Sequence, residues 1–241
     1  MGGVSVIITT YHPGRRGVLD EIARAWLEQP VDQVWVLNSG AQWLPPPPVG
    51  GDVRFQIFNL PLDLGNGADY CFALMTSGDY VILADDDMVP LDGFVGRFLE
   101  HSDKADILGV MGRIFRGPKY RRDTFPVRGD SVGDSHVAVD FVGVCTFCRR
   151  EHFGFDVRGL FPVLRNCDDL WWQMKKMPGL SKAVIPLAGL YRDLKEVCKG
   201  PTSMFKNIDL RQSRQDFYER HYLGGQYHSA VQKEKDCHVS G

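Results

Sequence analysis

A hydrophobic run, Tyr80-Val81-Ile82-Leu83-Ala84, ends on three consecutive aspartates, Asp85-Asp86-Asp87. Such a run reads as a strand buried on both faces of a parallel sheet, and it is far too short to cross a bilayer. Neighbouring carboxylates repel one another, and enclosure strips their hydration. A divalent cation relieves both costs, and hard oxygen donors suit Mg²⁺ or Mn²⁺. Ligands of open α/β sheets bind beyond the carboxyl ends of the strands, where this cluster falls. The sequence therefore predicts a metal–phosphate site at Asp85 to Asp87. The competing reading is an acidic helix N-cap ahead of Val89-Pro90, but a cap needs only one aspartate.

The 241 residues are enough for one large α/β domain, and 44% of them are hydrophobic, enough for a core. A formal net charge of −2 gives the whole molecule no polyanion-binding character, so any such contact needs a local patch. The opening Met-Gly-Gly-Val-Ser-Val has no signal-peptide pattern, and no apolar run approaches the ~20 residues of a membrane span. Met1-Gly2 begins like a myristoylation signal, but Val6 stands where Ser or Thr is wanted. The six cysteines are scattered and read as reduced thiols of a cytoplasmic protein. Cys145-x-x-Cys148 has no second pair at zinc-finger spacing, and a strand sends positions i and i+3 to opposite faces.

Strands are predicted at residues 4–10, 31–37, 53–58 and 80–84, and helices at 17–28, 68–75 and 91–101. Gly65-Asn66-Gly67 opens the second helix, and Pro45 to Pro48 is a stiff surface loop. This β-α-β-β-α-β-α order favours a doubly wound, mostly parallel sheet. The second half is less regular: strands at 105–115, 137–147 and 183–186, and helices at 167–176 and 204–222. Residues 224–241 are polar and punctuated by glycine, the composition of a disordered tail.

Five segments in order resemble the family 2-like GT-A glycosyltransferases. They are Val4 to Tyr11; Leu64-Gly65-Asn66-Gly67-Ala68-Asp69; Gly78 through Asp87, ending in a DxD motif; Asp140-Phe141-Val142-Gly143 with Arg149-Arg150-Glu151-His152-Phe153; and Asn166-Cys167-Asp168-Asp169-Leu170-Trp171. One such motif is weak, but five in order are specific. The resemblance covers roughly residues 3 to 195. It implies a single GT-A domain over 1–223, with a nucleotide-sugar half at 1–103, an acceptor half at 104–223 and a smaller mixed acceptor-side sheet. It also implies transfer of a sugar from a nucleotide-diphosphate donor, a UDP-sugar by preference, with Mn²⁺ or Mg²⁺.

The resemblance assigns Thr9, Thr10, Tyr11 and Asn66 to the donor and Asp87 to the metal. Asp85 faces the ribose or a metal-bound water and ranks as a second metal ligand, with Asp86 between them on the donor side. Asn38, ending a strand, reads either as a contact to the base edge or as ordinary Asn-Ser-Gly turn chemistry. Arg15 and Arg16 read equally as phosphate contacts or as an exposed pair. The histidine that the family often supplies as a third ligand is missing from Ala188 to Asp193, which leaves Asp193, His221 or water. Asp169, with Asp168 second, is the expected base of an inverting reaction; a retaining route would free both. Asp140, Gly143 and Trp171 fall on the acceptor side, and one of Trp171 and Trp172 is expected in the core.

Arg113, Arg116, Lys119, Arg121, Arg122 and Arg128 crowd one loop, interleaved with Phe115, Tyr120 and Phe125. Basic plus aromatic is the composition of a nucleic-acid contact, and also of a solvated loop balanced by acids. Together with the chain's size and its lack of an anchor, the loop resembles phage enzymes that glycosylate hydroxymethylated DNA bases, including those accompanying TET-like hydroxylases. Duplex DNA in a host cytoplasm is then the expected acceptor, and a saccharide or lipid-linked acceptor is its competitor. A binding module without turnover and a nucleotidyltransferase are the remaining alternatives. The first sits badly with intact Asp85, Asp87 and Asp169, and the second with the absence of a Gly-rich basic loop after the first strand.

Overall fold

The computed structural model describes residues 2–10, 16–39, 51–60, 67–120, 122–154, 168–194 and 208–220. The first half follows the predicted order: β1 (Val4–Thr10), α1 (Arg16–Leu27), β2 (Gln33–Ser39), β3 (Phe55–Leu60), α2 (Ala68–Ala73), β4 (Tyr80–Asp85), a short β5 (Met88–Pro90) and α3 (Phe94–Glu100). The second half holds β6 (Ile107–Phe115), β7 (Thr124–Arg128), β8 (Val137–Ala138), β9 (Phe141–Arg149), α4 (Asp168–Trp171), β10 (Lys182–Val184), β11 (Tyr191–Asp193) and α5 (Ile208–Tyr218).

One nine-stranded sheet runs in the order β3-β2-β1-β4-β9-β6-β10-β8, with β7 also on β6. The β3-β2-β1-β4 half is parallel throughout. Antiparallel β9 lies between β4 and β6, so β6 and β10 run in the same direction as β4. A second sheet is a two-stranded antiparallel ribbon of β5 and β11. This is the expected GT-A architecture, a doubly wound and mostly parallel sheet, but the smaller sheet is an antiparallel ribbon that takes one strand from each half and not the expected mixed acceptor-side sheet.

Alternation along the strands gives the large sheet two apolar faces. Ile7, Leu37 and Val81 look toward α2, α4 and α5, where Tyr70, Leu170 and Tyr218 pack. Val6, Ile8, Val36 and Ile82 look toward α1 and α3, where Ile22, Trp26 and Phe98 pack. Cys145 and Cys148 fall in opposite clusters, which separates the two thiols as the spacing predicts.

Three short strands escape sequence reading. β5 and β11 have three residues each, too few for a periodic signal. β7 pairs with Met111 to Phe115, the half of the β6 edge that β10 leaves open. The expected basic loop is therefore the turn and second strand of a β-hairpin. The predicted strand at 137–147 is two strands, β8 and β9, broken at Val139 and Asp140. Among the described residues no helix is long and apolar enough to cross a membrane.

Candidate active site

The parallel half brings four remote segments to one edge. Thr9 of β1 lies beside Asp85 of β4, Thr10 beside Asn38 of β2, and Asn38 beside Asn59 of β3. Strand alternation splits this row. Thr9 and Asp85 share the face of Ile7 and Val81, while Thr10 and Asn38 share the face of Ile8 and Val36. Asn38 Nδ2 donates to Asn59 Oδ1 at 2.7 Å, and Thr10 is buried. Thr9 Oγ1 is buried with no hydrogen-bond partner among the described residues. A buried hydroxyl of this kind is completed by a water, an ion or a ligand.

Asp86 and Asp87 are buried, at 4% and 6% exposure, in the turn joining β4 to β5. The ribbon then returns the chain to them. Leu194 N donates to Asp87 O at 2.7 Å, and Asp193 pairs in register with Met88. As a result Asp87, Asp193, Arg128 and Tyr191 wall one cavity of about 10 Å³, closed by Met88, Val110 and Val144. That is room for about one water or one ion. Asp193 lies in the segment Ala188 to Asp193, where the resemblance to GT-A enzymes leads to the expectation of a third ligand. Among the described residues no group of three or more His, Cys, Asp or Glu could hold a metal. Two carboxylates beside a ligand space fit a hard cation that keeps phosphate and water in its other positions, the habit of Mg²⁺.

The cavity wall is shaped by an irregular β9. Its register against β6 slips between Met111 and Gly112, which leaves Gly143 as the extra residue of a bulge. Cys145 has φ 47°, a left-handed backbone unusual outside glycine. Burial, and then the nearby Asp85, push its thiol well above the usual range, so it stays protonated. A π-helical turn, Trp172–Lys176, continues α4 and meets the bulge. There Gln173 Oε1 accepts from Val142 N at 2.8 Å and its Nε2 donates to Val142 O at 2.6 Å. One amide thus satisfies both backbone groups of a buried residue.

On the acceptor side Asp169 is partly exposed. Its Oδ1 accepts from Leu170 N at 2.8 Å and its Oδ2 from Arg214 Nη2 at 2.8 Å. Arg214 comes from α5 and was not foreseen. Burial opposes its charge, but Asp169 and Tyr120 outweigh that and hold the guanidinium firmly protonated.

Three expected acceptor residues lie inward. Asp140 is fully buried, and its Oδ2 accepts from Phe115 N at 2.8 Å, so it serves the scaffold and not the surface. Gly143 serves the bulge. Trp171 is 5% exposed, with Lys176 Nζ 4.8 Å from its ring centroid, and Trp172 is core, stacked on Phe153 at 4.9 Å.

The basic cluster divides. Arg113 turns inward, donating to Thr124 Oγ1 at 3.0 Å. Arg128 lines the aspartate cavity, yet its side chain is half exposed and its Nε lies 3.6 Å from Asp130 Oδ1. Arg116 lies 4.8 Å from the ring centroid of Phe125, which is half exposed, and Lys119 and Arg122 are exposed beside them. Tyr11, Arg15, Asn66, Arg121, His221 and the 224–241 tail lie outside the described residues, as do the side chains of Arg16 and Asp168.

No family model matches the chain, and no curated protein matches it. Solved structures do. The chain is similar to a crystal structure of S. aureus TarS, residues 1–349, with 13% identity, TM-score 0.56, and coverage of 93% of this chain and 73% of that one. A second crystal structure of TarS 1–349, in complex with UDP-GlcNAc, aligns with 14% identity, TM-score 0.51, and coverage of 78% of this chain and 57% of that one. At this identity the likeness establishes the fold.

Proposed function

We propose that this protein is a metal-dependent glycosyltransferase, moving a sugar from a nucleotide-diphosphate donor to an acceptor hydroxyl. The observation that carries the reading is the acidic carboxyl edge of a GT-A sheet, where Asp85 lies beside Thr9 and the turn that follows puts Asp87 in one cavity with Asp193. The UDP-GlcNAc complex of TarS supports a UDP-sugar as donor. Thr9 completes its hydrogen bonding on the donor, and Asp85 stands next to it on the same face. Asp87 and Asp193 hold the metal, which when bound neutralises charge growing on the diphosphate as it leaves. Arg128, in the same cavity, adds a fixed positive charge toward that leaving group.

Asp169 takes the proton from the attacking hydroxyl. A carboxylate offers about four acceptor sites, and two of these are used, so acceptor-binding capacity remains. Residues 1–223 act as one domain, the parallel half holding the donor and the second half the acceptor. The deciding experiment is hydrolysis of UDP-sugars with Mn²⁺ or Mg²⁺, with and without EDTA. Metal-dependent release of UDP is expected. Absence of turnover with every UDP-sugar and metal would reject the reading.

Duplex DNA carrying a hydroxymethylated base is a second, finer reading of the acceptor. The exposed Arg116–Phe125 pair flanked by Lys119 and Arg122 favours it, since guanidinium and ring together suit phosphate and an unstacked base. Arg116→Ala with Arg122→Ala should lower duplex affinity and make the log K–log salt slope shallower by about 2. A slope unchanged by the double substitution returns the acceptor to the saccharide class.

A further inference from the structure

A mostly buried guanidinium is costly unless its charge is matched and its donors are used. Arg214 meets both conditions. Its Nη2 donates to Asp169 Oδ2 at 2.8 Å and to the Tyr120 hydroxyl at 3.0 Å. Its Cζ lies 5.3 Å from the Tyr120 ring centroid and 5.8 Å from that of Phe141. The helix that carries it is itself fixed to the hairpin. Gln215 Oε1 accepts from Tyr120 N at 2.8 Å, and Tyr218 Oη donates to Gly117 O at 2.6 Å. Three remote segments, the β6–β7 hairpin, α4 and α5, thus converge on one carboxylate.

We infer that Arg214 is a positioning residue that holds the Asp169 carboxylate oriented for proton abstraction, with Tyr120 fixing the guanidinium in turn. The inference rests on the reading of Asp169 as the base. An arginine does not give up its proton, so the pair cannot collapse to two neutral groups. The bond to Oδ2 fixes the carboxylate plane and leaves its remaining lone pairs for the acceptor hydroxyl. Among the described residues, Arg113 stands beside the Tyr120 ring at 5.6 Å and Lys176 lies over Trp171 on the same helical segment. Of these cations Arg214 is the one hydrogen-bonded to Asp169.

The test is kinetic, on the full chain, with Mn²⁺-dependent UDP-GlcNAc hydrolysis as the reaction and water as the acceptor. Arg214→Gln should lower kcat by about tenfold to 100-fold, as misplacement of a reacting group does. KM for UDP-GlcNAc and UDP affinity should stay within about twofold, because Arg214 does not touch the donor. Arg214→Lys should restore most of kcat. A wild-type kcat in Arg214→Gln overturns the inference, and so does an equal loss in Arg214→Lys. If Asp169→Asn keeps full hydrolysis, the base reading fails, and the inference falls with it. If Asp169→Asn is inactive while Arg214→Gln keeps wild-type kcat, the inference fails alone. Should Arg214→Gln lose cooperative unfolding, Tyr120→Phe decides. It removes one hydroxyl and should lower kcat by less with KM unchanged; an unchanged kcat rejects the role.

Discussion

Asp193 shares a water-sized cavity with Asp87, brought there by a three-residue strand that pairs with the residues directly after the DxD motif. On the proposed reading, Asp193 serves as the second metal ligand beside Asp87. Asp87→Asn should cut metal-dependent UDP-sugar hydrolysis by at least about 100-fold, and Asp193→Asn by about tenfold. Asp193→Asn should also raise the Mn²⁺ concentration at half-maximal rate. A metal titration of both variants checks this; equal metal requirement in wild type and Asp193→Asn would remove Asp193 from the shell.

Arg128 lines the same cavity while its side chain, like its neighbours in the basic hairpin, remains half exposed. Arg128→Gln should lower kcat for donor hydrolysis by about 100-fold, as loss of a charge-stabilising donor does. Duplex affinity should respond far less. Steady-state kinetics beside a salt-dependent binding series separates the two roles; an effect confined to DNA affinity would return Arg128 to the hairpin surface.

Gln173 closes both backbone groups of Val142 next to the Gly143 bulge. Gln173→Leu leaves a buried N–H and a buried C=O unpaired, at about 1–3 kcal/mol each. Urea unfolding should show a loss of about 2–5 kcal/mol with m unchanged. A loss below about 0.5 kcal/mol would mean that the bulge finds other partners.

Lys182 is buried, and desolvation lowers its ammonium to about 8, with Asp140 and Asp106 opposing the shift. The folded pKa lies below the unfolded value of 10.5, so between about pH 8 and 10.5 the unfolded chain binds more protons. Stability from this group therefore rises with pH across that window, and the burial penalty is fully present below it. The penalty is about 3 kcal/mol, from the shift at 1.36 kcal/mol per unit. The buried Cys145 and Cys148 thiols act with the opposite sign, because their folded values are raised. The difference between wild type and Lys182→Met isolates the lysine. Wild type should gain on the variant from pH 8 to 10.5; parallel curves would refute the assignment.

The fold was legible where burial imposes a pattern. Continuous apolar runs at β1, β2 and β4 are what two-sided burial demands, so their order and the aspartates at the rim could be read directly. Asp140 misled because a carboxylate looks the same in sequence whether it meets solvent or caps the Phe115 N–H in the core. Trp171 misled similarly, since an aromatic at helical spacing suits a core and a sugar platform equally. The basic hairpin read as one patch because composition does not say which side chains turn inward.

The chain's own order of residues determined the parallel half and the acidic rim, because these follow from local periodicity and strand-end chemistry. Only the tertiary structure decided which charges meet. Asp193 comes to Asp87 through ribbon pairing, and Arg214 comes to Asp169 through helix docking. Such pairings depend on register and packing between distant segments, and no local window of sequence contains both partners.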